Sequence, residues 1–187
     1  MKIGLFGGSF NPIHERHMEI IKDVLKKGLV DEVWIVPCKK HPFNKTLASE
    51  KSRLEMIKLA TKNIPRVRIS KIELKSKGKS YTLKTSRKLK KKYRHDFFLV
   101  VGSDVLYEIK KWYKYEQLLR ETRFILFKRK DYLIKKIKEM KIICVIGKGK
   151  GNISSTEIRK KIKSNKPVKN LIPRDVEKYI QKTNLYK

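Results

Sequence analysis

Short apolar runs alternate along this chain with longer stretches of helical periodicity. Residues 2–6 are apolar after Lys2 and run into a glycine pair, the pattern of a short buried strand. The spacing of Met18, Ile21, Val24 and Leu25 predicts a helix over 14–27, with Gly28 as its stop. DEVWIVP is a second apolar, β-branched strand closed by Pro37. The polar loop CKKHPFNKTLA leads to an amphipathic helix over 49–63, with Leu54, Ile57 and Leu59 inward. Alternation in RVRISKIEL predicts a strand over 66–74, and KGKSYTLKTSRKLKKKY a glycine loop feeding a basic helix. DFFLVVG is again fully apolar, and SDVLYEIKKWYKYEQLLRET reads as helical with an irregular middle. RFILFKR and KIICVIG are two further buried strands around a predicted helix, DYLIKKIKEM. STEIRKKIKSN and PRDVEKYIQK close the chain as helices.

Strands with so little alternation belong to a parallel sheet covered on both faces. No repeat or linker interrupts the order. The expectation is therefore α/β: a single Rossmann-like, doubly wound domain over residues 1–187, with a mostly parallel sheet and a C-terminal helical extension. In such a sheet ligands bind beyond the carboxyl ends of the strands, where the strand order reverses. The GGSFNP cluster, GSD and GKGKGNISST all follow predicted strands and can gather at that edge.

Composition adds a net charge of +31, from 49 Lys and Arg against 18 Asp and Glu. The lysines are spread rather than gathered in a tail, which fits a lysine-rich surface that draws in phosphorylated ligands. The charge also motivates a competing reading, a basic nucleic-acid-binding protein. No recognition-helix or RNP-like motif supports a specific nucleic-acid partner. No signal peptide or membrane-length apolar run is visible, and Cys38 and Cys144 fit reduced thiols. These features lead to the expectation of a cytoplasmic protein with no membrane partner; self-association into a homo-oligomer stays open.

Gly7, Gly8 and Ser9 form a turn through which backbone amides can approach a phosphate, although the spacing is neither a P-loop nor GxGxxG. His14 and His17 share one face of the first helical turn. A surface pair and a metal pair are alternatives, but no further ligands are clustered to complete a metal site. Beside a phosphate turn, two imidazoles can stabilise charge building on a transferring group. Ser154, Ser155 and Thr156 precede a helix and can cap it or present hydroxyls and amides, with Arg159 one turn on.

GGSFNPIHERH resembles the signature of the HxGH nucleotidyltransferase superfamily, and ISSTEIR is similar to its partner motif, (S/T)-S-(S/T)-x-x-R. Within it, GKSYTLKTSRKL, VGSDVLYEIKKWYKYEQLL and LIPRDVEKYI resemble segments of bacterial nicotinate-nucleotide adenylyltransferases, over essentially the full length. The chain departs from that pattern in four places. Arg16 stands where the family usually has glycine. Phe43 and Asn44 follow His41 and Pro42, leaving Lys45 one place late for the usual lysine. Lys84 replaces the usual aspartate.

The resemblance implies direct adenylyl transfer from ATP to nicotinate mononucleotide, with Mg²⁺ held mainly by ATP phosphates and no covalent enzyme intermediate. It implies that His14, His17 and Arg159 hold the triphosphate and transition state. Gly7, Gly8, Ser9 and Phe10 supply backbone contacts where the two substrates cross, and Ser154, Ser155 and Thr156 bind phosphate. Trp112 stacks on the pyridine, Tyr81 and Thr82 meet its carboxylate, Asp104 bonds a ribose hydroxyl or caps a helix, and Lys45 contacts phosphate. Nicotinamide mononucleotide or phosphopantetheine are alternative acceptors.

Overall fold

The computed structural model describes residues 1–43, 46–147 and 153–187. Six strands form one all-parallel sheet in the order β3-β2-β1-β4-β5-β6. They are β1 (Lys2–Gly8), β2 (Glu32–Pro37), β3 (Val67–Ile69), β4 (Asp96–Gly102), β5 (Arg123–Phe127) and β6 (Lys141–Ile146). The helices are α1 (Glu15–Lys26), α2 (Glu50–Thr61), α3 (Thr82–Lys92), α4 (Val105–Glu108), α5 (Tyr115–Glu121), α6 (Ser155–Lys163) and α7 (Arg174–Lys182), with a 3-10 turn at Ile109–Lys111.

The apolar runs are continuous because alternate residues feed two cores. Phe6, Val33, Ile35, Phe98, Val100, Ile125 and Phe127 enter one core with α1, α2, α6 and α7. Ile3, Leu5, Trp34, Val36, Phe97, Leu99, Phe124 and Leu126 enter the other with α3, α4 and α5. The four central strands, β2, β1, β4 and β5, are thereby covered on both faces. The C-terminal helices close the first core through Ile158, Val176 and Ile180. α1 ends as its sequence requires: Gly28 takes φ +63°, and the Leu29 N–H reaches back to the Val24 carbonyl at 3.3 Å.

Four expectations are corrected. Residues 131–140 form no helix; the carbonyls of Tyr132 and Leu133 accept bonds from Ser103 Oγ (3.0 Å) and the Tyr107 hydroxyl (3.2 Å), and Tyr132 makes an isolated bridge with Arg129. β6 is an edge strand, not a buried one, with Ile143 and Val145 exposed. The strand expected over 66–74 stops at Ile69, since residues 71–76 fold into a turn (Lys75 N–H to Lys71 O, 3.0 Å). On α2, Leu54 and Leu59 are only half-buried; Arg53, Met56, Ile57 and Thr61 form the inner face. Arg53 turns inward because the carbonyls of Ala48 and Ser9 accept its guanidinium N–H groups, at 3.1 and 3.0 Å.

Candidate active site

β1 and β4 are neighbours in the sheet, but the chain winds away from them in opposite directions. A crevice therefore opens at their carboxyl ends, marked by Gly7–Gly8 on one strand and Gly102 on the other.

The turn after β1 is tightly constrained. A Cβ at Gly7 would meet nothing within 4 Å, leaving backbone open to a ligand. At Gly8 it would approach the Phe10 ring at 3.1 Å, so a side chain there would press on the ring. Phe10 is buried at φ +47°, a costly conformation for a bulky residue, and its ring meets Phe6 and His17 edge-on. The Ser9 carbonyl is gripped by Arg53.

His14 is the N-cap of α1 and His17 lies one turn inside it. Their rings stack with centroids 3.6 Å apart. His17 Nδ1 accepts the His14 backbone N–H at 3.2 Å, so in its neutral form the ring carries its proton on Nε2. His14 is 3% exposed, and its Nδ1 has no hydrogen-bond partner among the described residues. Burial, followed by the Arg129 and Arg16 charges, pulls the His14 imidazole down to about 3. Burial, followed by the charge of His14 and then of Arg129, also holds His17 well below its ordinary value. Both rings are neutral in the free protein, and an anion arriving beside them would reverse that balance. The Glu15 N–H, an obvious anion donor, is instead bonded to the Leu171 carbonyl at 2.9 Å.

α6 brings the second half of the site to this turn. Arg159 donates to the Asn11 carbonyl at 2.8 Å and to Thr156 Oγ1 at 3.4 Å. Ser155 Oγ donates to the Pro12 carbonyl at 2.9 Å. Ser154 caps the helix, its Oγ accepting the Glu157 N–H at 3.2 Å and donating to the Glu157 carboxylate at 3.0 Å. The Ser154 and Ser155 hydroxyls are thus engaged within the protein.

On the other face of Gly7–Gly8 opens a cavity of about 530 Å³. Gly7, Gly8, Ser9, Tyr81, Thr82 and Trp112 all line it. Trp112 is half-buried and also packs on the second core. Tyr81 stacks on Tyr113 with centroids 4.5 Å apart, and Lys84 Nζ lies 5.3 and 5.1 Å from their two rings. Lys84, the departure from the family pattern, therefore carries a cation against two walls of the cavity.

His14, His17, Arg159 and Asp104 do not line this cavity. Asp104 heads α4 without capping it through its side chain, so the expected cap is absent; its carboxylate pairs with Arg129 at 3.2 Å. Lys45 lies outside the described residues.

Sequence reasoning missed two groups, Arg129 and Glu73, and left Arg16 without an explanation. Arg129 follows β5, where a basic residue at a parallel strand's carboxyl end was a usable signal. Glu73 lies in the turn read as a strand; it lines the cavity and accepts from Thr85 Oγ1 at 2.6 Å. Burial pushes its carboxyl up, against the pull of the Thr85 and Ser80 hydrogen bonds. Arg16 has a structural account: it pairs with Glu19 at 2.7 Å and donates to the Lys128 carbonyl at 3.1 Å, tying α1 to the end of β5.

Among the described residues no three His, Cys, Asp or Glu side chains cluster to hold a metal ion. Mg²⁺ needs oxygen ligands, whereas imidazole and guanidinium nitrogens surround the turn. These residues do not fit a protein-held Mg²⁺. No helix among the described residues is long and apolar enough to cross a membrane.

The cytidylyltransferase-like family profile matches residues 5–161. The chain is 35% identical over 188 residues to the nicotinate-nucleotide adenylyltransferase of Bacillus subtilis, covering 99% of this chain and 98% of that one. It is 40% identical over 189 residues to a probable nicotinate-nucleotide adenylyltransferase of Hydrogenobaculum, covering 100% and 98%. Among solved structures it is similar to the Plasmodium falciparum nicotinic acid mononucleotide adenylyltransferase complexed with NaAD, with a TM-score of 0.85 and 27% identity over 99% of this chain and 97% of that one.

Proposed function

The chain belongs to the nicotinate-nucleotide adenylyltransferases, within the cytidylyltransferase-like family, and on that premise we propose how its residues run the reaction. ATP and nicotinate mononucleotide are the substrates; nicotinic acid adenine dinucleotide and pyrophosphate are the products. A mononucleotide phosphate oxygen attacks the α-phosphorus of ATP in line. The new P–O bond forms as the bond to the bridging oxygen breaks, and that electron pair leaves with pyrophosphate. No protein nucleophile takes part.

The observation that carries this reading is the meeting of two unlike compartments at Gly7–Gly8. One is a corner of two neutral imidazoles, His14 and His17, with the Arg159 guanidinium. The other is the aromatic cavity with Trp112, Tyr81 and Thr82. In this reading the triphosphate occupies the corner and the pyridine stacks in the cavity, so the two phosphates cross over the open backbone at Gly7. Ser9 and Phe10 hold the turn in shape, and Thr156 steadies Arg159. The arriving phosphates raise the imidazole pKa values, turning neutral rings into donors as charge builds on the α-phosphate. Mg²⁺ enters as part of the MgATP substrate. Lys84 places positive charge near the pyridine pocket, which favours nicotinate, with its carboxylate, over nicotinamide. The Asp104–Arg129 pair flanks the phosphate corner and is available to a ribose hydroxyl; Lys45 is assigned to the mononucleotide phosphate.

The test is pyrophosphate release from ATP and Mg²⁺ with nicotinate mononucleotide, nicotinamide mononucleotide or phosphopantetheine supplied separately. Fastest release with nicotinate mononucleotide is expected. Preference for phosphopantetheine, or release with none of the three, would overturn the assignment.

A further inference from the structure

Asn11 occupies the centre of the phosphate turn and is 3% exposed. Its carbonyl accepts from Arg159 at 2.8 Å, and its Oδ1 accepts the Ala48 N–H at 3.1 Å. Its Nδ2 donates to the Thr46 carbonyl at 3.4 Å. A fourth bond comes from a distant part of the chain: the Tyr186 hydroxyl donates to Asn11 Oδ1 at 2.7 Å, across 175 positions of sequence. The direction is fixed, because an amide oxygen is only an acceptor. Burial, against the opposing charges of Arg159 and Arg53, pushes the phenol well above its ordinary value, so it remains a donor throughout the working range. Tyr186 itself sits at φ +71°, with its ring packed against the first core. A bulky residue keeps that backbone conformation only where its surroundings over-determine it.

We infer that Tyr186 is a positioning residue for the phosphate corner, acting through Asn11. Arg159 is referenced to the Asn11 carbonyl, and Ser155 to the adjacent Pro12 carbonyl. Any shift of the Asn11 backbone therefore moves the guanidinium relative to the stacked histidines. The loop 46–48 holds the Asn11 amide through two bonds, of which only the one from the Ala48 N–H reaches Oδ1. The phenol hydroxyl adds the second hold on that oxygen. None of this touches the aromatic cavity, so the effect falls on the transfer step rather than on mononucleotide binding.

The inference rests on the adenylyltransferase reading of the site, and its test separates the two. Tyr186→Phe keeps the packed ring and deletes the hydroxyl. It should lower kcat about tenfold, the combined scale of one lost buried hydrogen bond and a small misplacement of a charge-stabilising group. KM for nicotinate mononucleotide should not change, and the protein should stay folded at the assay temperature by circular dichroism. In an Asn11→Ala background the same change should cost nothing further. Wild-type kcat in Tyr186→Phe overturns the inference, as does a full additional loss in the Asn11→Ala background. Calorimetric titration with a non-hydrolysable ATP analogue is the readout independent of turnover: Tyr186→Phe should bind it several-fold more weakly, and equal affinity counts against the inference. A wild-type chain that turns over while the variant matches it loses only this proposal. A wild-type chain that binds the analogue without turnover loses the adenylyltransferase reading and leaves the affinity comparison to decide. One that does neither loses both.

Discussion

His17 accepts the backbone N–H of His14 through Nδ1 at 3.2 Å while the two imidazoles stack 3.6 Å apart. One ring thus fixes the backbone that begins α1, and its own tautomer follows from that bond. The other ring is left with an Nδ1 that has no hydrogen-bond partner among the described residues, in a buried setting. An unmet buried polar atom costs about 1–3 kcal/mol, and a bound phosphate oxygen would recover it.

The same pair should make the free protein sensitive to acid. His14 has an ordinary value of 6.5 and a folded value of about 3. Below pH 6.5 the unfolded chain takes up a proton at this ring and the folded chain does not. Its contribution to stability is therefore complete above pH 6.5 and is lost as pH falls toward 3, at about 1.4 kcal/mol per pH unit. Urea unfolding across this window should show a steeper decline for wild type than for His14→Gln. Parallel curves would show that His14 titrates normally in the fold.

His17→Ala removes a donor from the phosphate corner and the acceptor of the His14 N–H together. Turnover should fall by about 10²-fold or more, the scale for one preorganised charge-stabilising donor. Stability should fall by about 1 kcal/mol, for one intramolecular hydrogen bond. Steady-state kinetics and thermal unfolding check the two parts separately. Wild-type turnover would remove His17 from the reaction.

Arg16 occupies the family's glycine position, and its charge is one of the causes holding His14 down. Arg16→Gly should raise the His14 pKa, followed by NMR titration of the ring C–H signals. It should also destabilise the protein by about 1–2 kcal/mol, through loss of the Lys128 contact and the glycine introduced into α1. An unmoved titration would mean that burial and the Arg129 charge set the His14 value without Arg16.

Much of this was legible in the sequence, for identifiable reasons. The strands were readable because residues facing both cores leave no polar gaps, as in Phe97–Phe98–Leu99–Val100. The meeting of the turn after β1 with the start of α6 was readable because their residues sit in two short contiguous motifs. What failed depended on distant partners. Leu133, Ile134, Ile137 and Met140 have helical spacing, but side chains of Ser103 and Tyr107 take the carbonyls a helix would use. Arg53 turns inward only because the carbonyls of Ser9 and Ala48 accept from it. Tyr186 looks like any aromatic residue until the fold brings Asn11 to it.

Trp112 lines the cavity and also packs on the second core. Trp112→Ala should weaken nicotinate mononucleotide binding by about 1–3 kcal/mol, the scale of an aromatic–base stack, with little change for ATP. Calorimetric titration with each substrate distinguishes the two. Equal losses for both would assign Trp112 to folding.

Gly102 ends β4 where its neighbours leave no space. A Cβ there would overlap Asp104 Oδ1 and stand 3.0 Å from both Arg129 Nε and Phe127 Cζ. The Asp104 side chain is too short to swing aside without giving up its pairing with Arg129 at 3.2 Å. Arg129 is also one of the charges that keep both imidazoles neutral. Gly102→Ala should therefore destabilise the fold by about 1–3 kcal/mol, the cost of overpacking. It should also shift both histidine titrations, because the displaced guanidinium changes the field at the rings. Chemical denaturation measures the first effect and NMR titration the second. A stable variant with unchanged titrations would show that the Asp104–Arg129 pair can relocate freely, and would detach it from the phosphate corner.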